Sequence, residues 1–265
     1  MSKPEPFVRE SGAGPAVVCI HANASASSQW RTLGDQLAGT HRLLAPDCYG
    51  AGRSPKWSSD EMMSLRDEVE FLEPVFSRAG SSFSLVGHSY GAAVALVAAL
   101  AHGDRVRCLA IYEPTLFSLI EADSSAPNEA DGIRNAVEQA GAALDRGDTF
   151  GAAQCFIDYW MGPGAWQATP EERKALIAEA VKSVRHWWHA LFTEPTPGTA
   201  FSALRVPVLL MTGGRSTASA HGVARRLVPL LPQGKEHRFA DLGHMGPVTH
   251  PQEVNAVIAR FLSEV

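Results

Sequence analysis

Residues 83–86, Phe-Ser-Leu-Val, run into Gly87-His88-Ser89-Tyr90-Gly91, and an Ala/Val/Leu stretch follows without a break to His102. The first segment has the length and apolar character of a buried strand. The second reads as a helix that is apolar all round. A strand that enters a helix through five residues, two of them glycine, needs a tight turn. Without Cβ atoms at Gly87 and Gly91 the two elements approach closely. The serine between them then sits on a strained backbone that pushes its hydroxyl clear of the sheet. Such a strand–turn–helix unit belongs to a parallel sheet covered on both faces.

The rest of the chain repeats that alternation. Strands are expected at residues 16–22, 41–47, 107–112, 206–212 and 237–242. Helices are expected at 28–38, 65–79 with Pro74 as a kink, and 252–262. Residues 118–203 break the pattern. They offer no strand, only helical stretches near 129–146, 150–160 and 170–192 separated by Gly and Pro. The reading is an α/β core in two parts, 1–117 and 204–265, with a helical insertion at 118–203. Only the polar stretch 121–131 reads as mobile.

Composition narrows the function classes. With 265 residues and 45% hydrophobic content the chain supports a sizeable core. A net charge of −5 gives no reason to expect nucleic acid or an anionic membrane as partner. Cys19, Cys48, Cys108 and Cys155 lack metal-ligand spacing and read as reduced thiols. Residues 1–10 lack an apolar h-region, and no stretch reaches about 18 apolar residues. A soluble, cytoplasmic protein is the expectation; the oligomeric state is not legible.

The G-x-S-x-G match, in its strand–turn–helix setting, marks Ser89 as a candidate nucleophile. A serine hydroxyl needs a base. His244, in Asp241-Leu242-Gly243-His244-Met245-Gly246, falls between the last strand and the last helix. A parallel sheet delivers every such loop to one edge, so Ser89 and His244 meet there although 155 positions apart. Two backbone N–H groups should hold the developing oxyanion: Tyr90, directly after the serine, and Asn23, in the loop after the first core strand. His21 and His88 fall beside the pocket, and His21 is a candidate lining residue. Trp160, Trp166, Trp187 and Trp188 all fall in the insertion. Trp160, Trp187 and Trp188 are the candidates for an apolar pocket wall.

These motifs together resemble the α/β-hydrolase superfamily. Cys19-Ile20-His21-Ala22-Asn23 with Trp30 downstream, Asp47-Cys48-Tyr49-Gly50-Ala51-Gly52-Arg53-Ser54, the serine turn and Gly243-His244 are similar to its capped branch of esterases, C–C bond hydrolases, epoxide hydrolases and haloalkane dehalogenases. The resemblance spans most of the chain outside 118–203, which matches the family's helical cap by position. Ala22 stands where a glycine is usual, and the short stretch before Ala16 leaves room for one strand in place of the usual hairpin.

The resemblance also raises the question of the acid. Most of the family carries an Asp after the strand at 206–212, but here the loop reads Gly213-Gly214-Arg215-Ser216-Thr217-Ala218-Ser219, without a carboxylate. Some relatives place the acid after the preceding core strand, and Glu113 stands there. This implies Glu113 as the triad acid, with a Ser–His dyad or another acid as alternatives. Dehalogenases and epoxide hydrolases of this fold use Asp as nucleophile, because water can attack its ester carbonyl; a serine alkyl ether offers no such route. Ser89 therefore implies acyl transfer on carboxylic esters or related acyl bonds, and the tryptophans of the insertion favour small, largely apolar substrates. The alternatives are a C–C bond hydrolase, a lactonase, or a hydrophobic-ligand-binding protein with a degenerate triad. No nucleotide, phosphate or metal motif is present, so no cofactor and no metal are expected.

Overall fold

The computed structural model describes residues 4–59, 61–121 and 128–265. Most of the polar stretch 121–131, from 122 to 127, therefore lies outside the described residues. Seven strands form one sheet: β1 (Val8–Gly12), β2 (Ala16–Ile20), β3 (Arg42–Pro46), β4 (Phe83–His88), β5 (Val106–Tyr112), β6 (Val208–Gly213) and β7 (Gly234–Phe239). Their order is β1-β3-β2-β4-β5-β6-β7. Only β1 runs antiparallel, against β3; all other neighbours are parallel. Among the described residues before β2 there is a single strand, β1.

Period-two alternation sorts the core into two layers. On one face Val17, Cys19, Val86, Cys108 and Ala110 pack with α1 (Arg31–Leu37) and the C-terminal helix. On the other, Val18, Ile20, Leu85, Leu109 and Ile111 pack with α2 (Leu65–Ala79) and α3 (Tyr90–His102). The residues of β2 and β4 are all buried, and each Val or Leu so placed contributes about 1.5–3 kcal/mol. A capping box starts α2: the Ser64 side chain accepts from Asp67 N–H at 3.2 Å, and Asp67 Oδ2 accepts from Ser64 N–H at 2.8 Å. The helix runs through Pro74, which sits on its exposed side.

Between β5 and β6 the described residues contain helices only: α4 (Ser118–Glu121), α5 (Asp131–Asp145), α6 (Thr149–Met161), α7 (Ala165–Ala168), α8 (Glu171–Val181), α9 (Val184–Phe192) and a 3-10 turn (Gly198–Ala203). The stretch expected as one helix at 170–192 breaks at Lys182–Ser183. After β6 come α10 (Ala218–Leu227), then β7, α11 (Gly246–Thr249) and α12 (Pro251–Ser263). No helix among the described residues is long and apolar enough to cross a membrane. Cys19, Cys48 and Cys108 are buried, and all four cysteines are free thiols.

The last strand corrects the sequence reading by three residues. The expected 237–242 is in fact Gly234–Phe239, and the next residues form the turn that carries His244. The cause is its place at the sheet edge. Paired only with β6, it reads Gly-Lys-Glu-His-Arg-Phe and is largely exposed, without the apolar run of a central strand.

The glycines of the β4–α3 turn account for its tightness. A Cβ on Gly87 would lie 2.6 Å from Ala92 Cα, and one on Gly91 2.3 Å from the Ile20 carbonyl oxygen. Both obstacles are backbone, so neither can move aside. Gly91→Ala should therefore destabilise the fold by about 2 kcal/mol or more, read as a lowered midpoint in denaturant unfolding. An unchanged midpoint would show that β2 and α3 have slack at this contact.

Candidate active site

Four chain segments converge at the carboxyl edge of the sheet. Ser89 joins β4 to α3 with φ 56° and ψ −119°. A non-glycine residue at positive φ costs on the order of 1–3 kcal/mol and persists only where its surroundings hold it. Here Ser89 N–H donates to the Tyr112 carbonyl at 2.9 Å, and Ser89 C=O accepts from Ala92 and Ala93 N–H at 3.0 and 3.1 Å. Glu113, directly after β5, also has positive φ (45°) and is fully buried.

The three side chains form a continuous chain of hydrogen bonds. His244 Nδ1–H donates to Glu113 Oε2 at 2.7 Å, and Ser89 Oγ–H donates to His244 Nε2 at 2.9 Å. Glu113 Oε1 accepts from Gly213 N–H at 2.6 Å, so both carboxylate oxygens are engaged. The loop after β6 holds no acid, yet the last backbone N–H of β6, at Gly213, orients one. Charge on the imidazole would be opposed directly by this buried carboxylate. The Trp160 indole covers the imidazole face, with centroids 3.7 Å apart and planes 21° from parallel.

The histidine loop is fixed from below. Tyr112 O–H donates to the Gly243 carbonyl at 2.8 Å, and His88 Nε2–H donates to the His244 carbonyl at 2.8 Å. His88 Nδ1 accepts from Gln29 Nε2 at 3.1 Å. Burial, helped by the nearby His244, pushes the His88 pKa well below its ordinary value, so His88 stays neutral and donates from Nε2 alone. The sequence reading gave His88 no role. A polar residue ending a strand of buried residues was the available signal.

His21 is the one candidate that moves out of the pocket. It is 2% exposed and absent from the lining of the cavity beside Ser89. Nδ1–H donates to Ala22 C=O at 2.7 Å, and Nε2 accepts from Cys48 N–H at 3.0 Å. With both nitrogens bonded to backbone, and its pKa lowered by burial, it ties the loop after β2 to the loop after β3. Asn23, Trp160, Trp187 and Trp188 do line the cavity with Ser89. Tyr90 N–H opens α3, where helix N–H groups lack intrahelical acceptors. Ala22 needs no glycine-only backbone: in that loop the positive φ falls at Ala24. Asp47 accepts from Ser27 N–H at 2.6 Å and Arg53 N–H at 2.9 Å, which makes it a loop organiser. Asp241 pairs with Arg215 on the surface.

Sequence reasoning missed Glu68. It is fully buried under Tyr90, accepting from Tyr90 O–H at 2.9 Å and from Tyr49 N–H at 3.0 Å. Burial raises its carboxyl from 4.5 to about 7. The folded state thus holds this proton more tightly than the unfolded chain does. The stability it contributes is complete below about pH 4.5 and is lost as pH rises to about 7, a change of about 3 kcal/mol. Glu68→Gln cannot titrate. Denaturant unfolding of the two proteins between pH 4.5 and 8 should show the wild type losing stability relative to the variant by that order. Parallel pH profiles would refute the raised pKa.

Comparison with known proteins adds a lineage. The alpha/beta hydrolase fold family model matches residues 15–251. The chain is 35% identical to a haloalkane dehalogenase of Agrobacterium fabrum over 117 residues, 44% of this chain and 38% of that protein. It spans at most 38% of the length of the first curated relatives it matches. It is 28% identical to Lipase LipV of Mycobacterium tuberculosis over 94% of both chains. Among solved structures, MGS-M2, an alpha/beta hydrolase from a Medee basin deep-sea metagenome library, superposes with a TM-score of 0.83 at 15% identity, covering 100% of this chain and 96% of that one. The shared sheet, the matched family model and the likeness along nearly the whole length make this chain a member of the alpha/beta-hydrolase fold family.

Proposed function

We propose that the protein is a serine hydrolase that cleaves carboxylic esters of small, largely apolar acids through an acyl-enzyme. The observation that carries this is the unbroken Ser89–His244–Glu113 chain, with contacts of 2.9 and 2.7 Å. Ser89 Oγ attacks the ester carbonyl carbon while His244 Nε2 takes its proton. The imidazolium so formed is opposed by Glu113 and covered by Trp160. The carbonyl oxygen, now an oxyanion, accepts from Tyr90 and Asn23 N–H; one such donor is worth about 3–4 kcal/mol elsewhere. His244 then gives the proton to the departing alcohol. Water, deprotonated by the same nitrogen, releases the acid and restores Ser89.

In this reading α4–α9 act as a cap, supplying Trp160, Trp187 and Trp188 to the cavity over Ser89. The likeness to a haloalkane dehalogenase does not carry its reaction here, because that chemistry on a serine would end in an ether. The likeness to a lipase over nearly the whole chain fits an ester bond.

A fluorophosphonate probe should label Ser89, and Ser89→Ala should neither label nor hydrolyse p-nitrophenyl esters, with a rate loss on the order of 10⁴–10⁶. A Ser89→Ala protein that keeps more than about a tenth of wild-type turnover would overturn the assignment. Absence of labelling in the wild type would favour a ligand-binding protein.

Glu113→Gln keeps the shape of the side chain but removes its charge. The rate constant kcat should fall by up to about 10⁴-fold, since the amide can hold the imidazole in the wrong tautomer. Near-full activity in this variant would return the reading to a Ser–His dyad.

A further inference from the structure

The cavity beside Ser89 has an almost wholly apolar wall, including Phe117, Ile133, Val137 and Phe156. Besides the polar Ser89 and Asn23, two of its lining side chains bury a polar atom that is left unpaired. Thr115 is 1% exposed and Trp160 7%. Neither the Thr115 hydroxyl nor the Trp160 indole N–H has a hydrogen-bond partner among the described residues. Burying a donor unpaired is unfavourable, and the same shapes were open to the chain without it. Valine fills the space of threonine, and a phenylalanine ring can also stack on His244. These two polar atoms therefore point to a ligand that pairs with them.

The two sides of Trp160 indicate which part of the substrate that is. Ser89 and Asn23 line the apolar cavity. His244, which would protonate the leaving alcohol, lines a more polar pocket beyond Trp160 with Arg215, Ser216 and Thr217. The acyl group thus belongs in the apolar cavity and the alcohol toward the polar side. An indole N–H only donates, and a threonine hydroxyl donates or accepts. Their common complement is an acceptor oxygen.

Resting on the serine-hydrolase reading, we infer that the cavity selects a short acyl chain bearing a second carbonyl oxygen, held by Thr115 Oγ–H and Trp160 Nε1–H. A site built to hydrogen-bond one substrate group discriminates against the analogue that lacks it, because its own buried donors then stay unpaired.

Ethyl hexanoate and ethyl 3-, 4- and 5-oxohexanoate share one chain length and test this directly. Their kcat/KM values are measured by acid release for wild type, Thr115→Val and Trp160→Phe. Dividing each keto-to-parent ratio by the ratio for hydroxide removes intrinsic reactivity, and any general damage to His244 cancels within a variant. In wild type at least one keto ester should be preferred by about tenfold or more. Each variant should lower that preference by about three- to tenfold, the worth of one neutral hydrogen bond. Wild-type ratios near one for all three keto esters, or ratios unchanged in both variants, overturn the inference. A drop confined to one variant overturns the two-point hold. Fluorophosphonate labelling separates this from failure of the hydrolase reading: labelled protein without keto preference defeats only the present inference. Should wild type not label, calorimetric titration of Ser89→Ala with the same esters reads the preference without turnover. Equal affinities, or no binding of any ester, would then defeat it.

Discussion

One backbone angle organises the edge of the sheet where the site lies. Ser89 at φ 56° is an unfavourable conformation for a residue with a Cβ, and no local sequence preference supports it. It is held by the sheet on one side and the helix on the other. Its N–H is tied to Tyr112 at the end of β5, and its carbonyl is buried in the first turn of α3. The close approach of Gly87 and Gly91 to their neighbours leaves the turn no alternative course. The serine hydroxyl emerges where it does because the packing of β2, β4, β5 and α3 overrides the preference of one residue.

A second strained position stands beside it. Glu113, at φ 45°, leaves β5 as Ser89 leaves β4, and β4 and β5 are adjacent parallel strands. The proposed nucleophile and acid are therefore neighbours on the same edge. The histidine reaches between them from the loop after β7, two strands further out. That span depends on Tyr112 and His88, whose hydrogen bonds grip the backbone at Gly243 and His244. The donors that fix the loop thus come from the same two strands that carry the serine and the glutamate.

Much of this was legible in the sequence because it depends on local pattern and parallel topology. The glycine-flanked serine between a strand and a helix places itself. His244 follows from the rule that parallel strands deliver their loops to one edge, and Glu113 from the resemblance, since some relatives place the acid after the preceding core strand and residues 213–219 carry no carboxylate. What was not legible depends on partners far away in the chain. His21 reads as a pocket residue until both its ring nitrogens are seen on backbone at Ala22 and Cys48. Glu68, Glu70 and Glu73 look alike on α2, and only the packing under Tyr90 singles out Glu68. The edge position of β7 hid its true bounds, because a strand with one neighbour carries little apolar signal.

The placement of the carboxylate directly after β5 has a consequence for the rim of the site. The end of β6 contributes to the proposed triad through the Gly213 backbone N–H alone. Every residue except proline owns such a donor. Residues 214–219 are thus released from any side-chain duty toward the imidazole, while their contact with Tyr159 through Ser219 ties them to the inserted helices. No side chain of this stretch is needed to orient the carboxylate, although Gly214 lies too close to the Ala240 carbonyl for a Cβ and the Thr217 side chain caps α10. Changes along this rim therefore reshape the pocket that Arg215, Ser216 and Thr217 line with His244, while the Glu113–His244 contact stays in place.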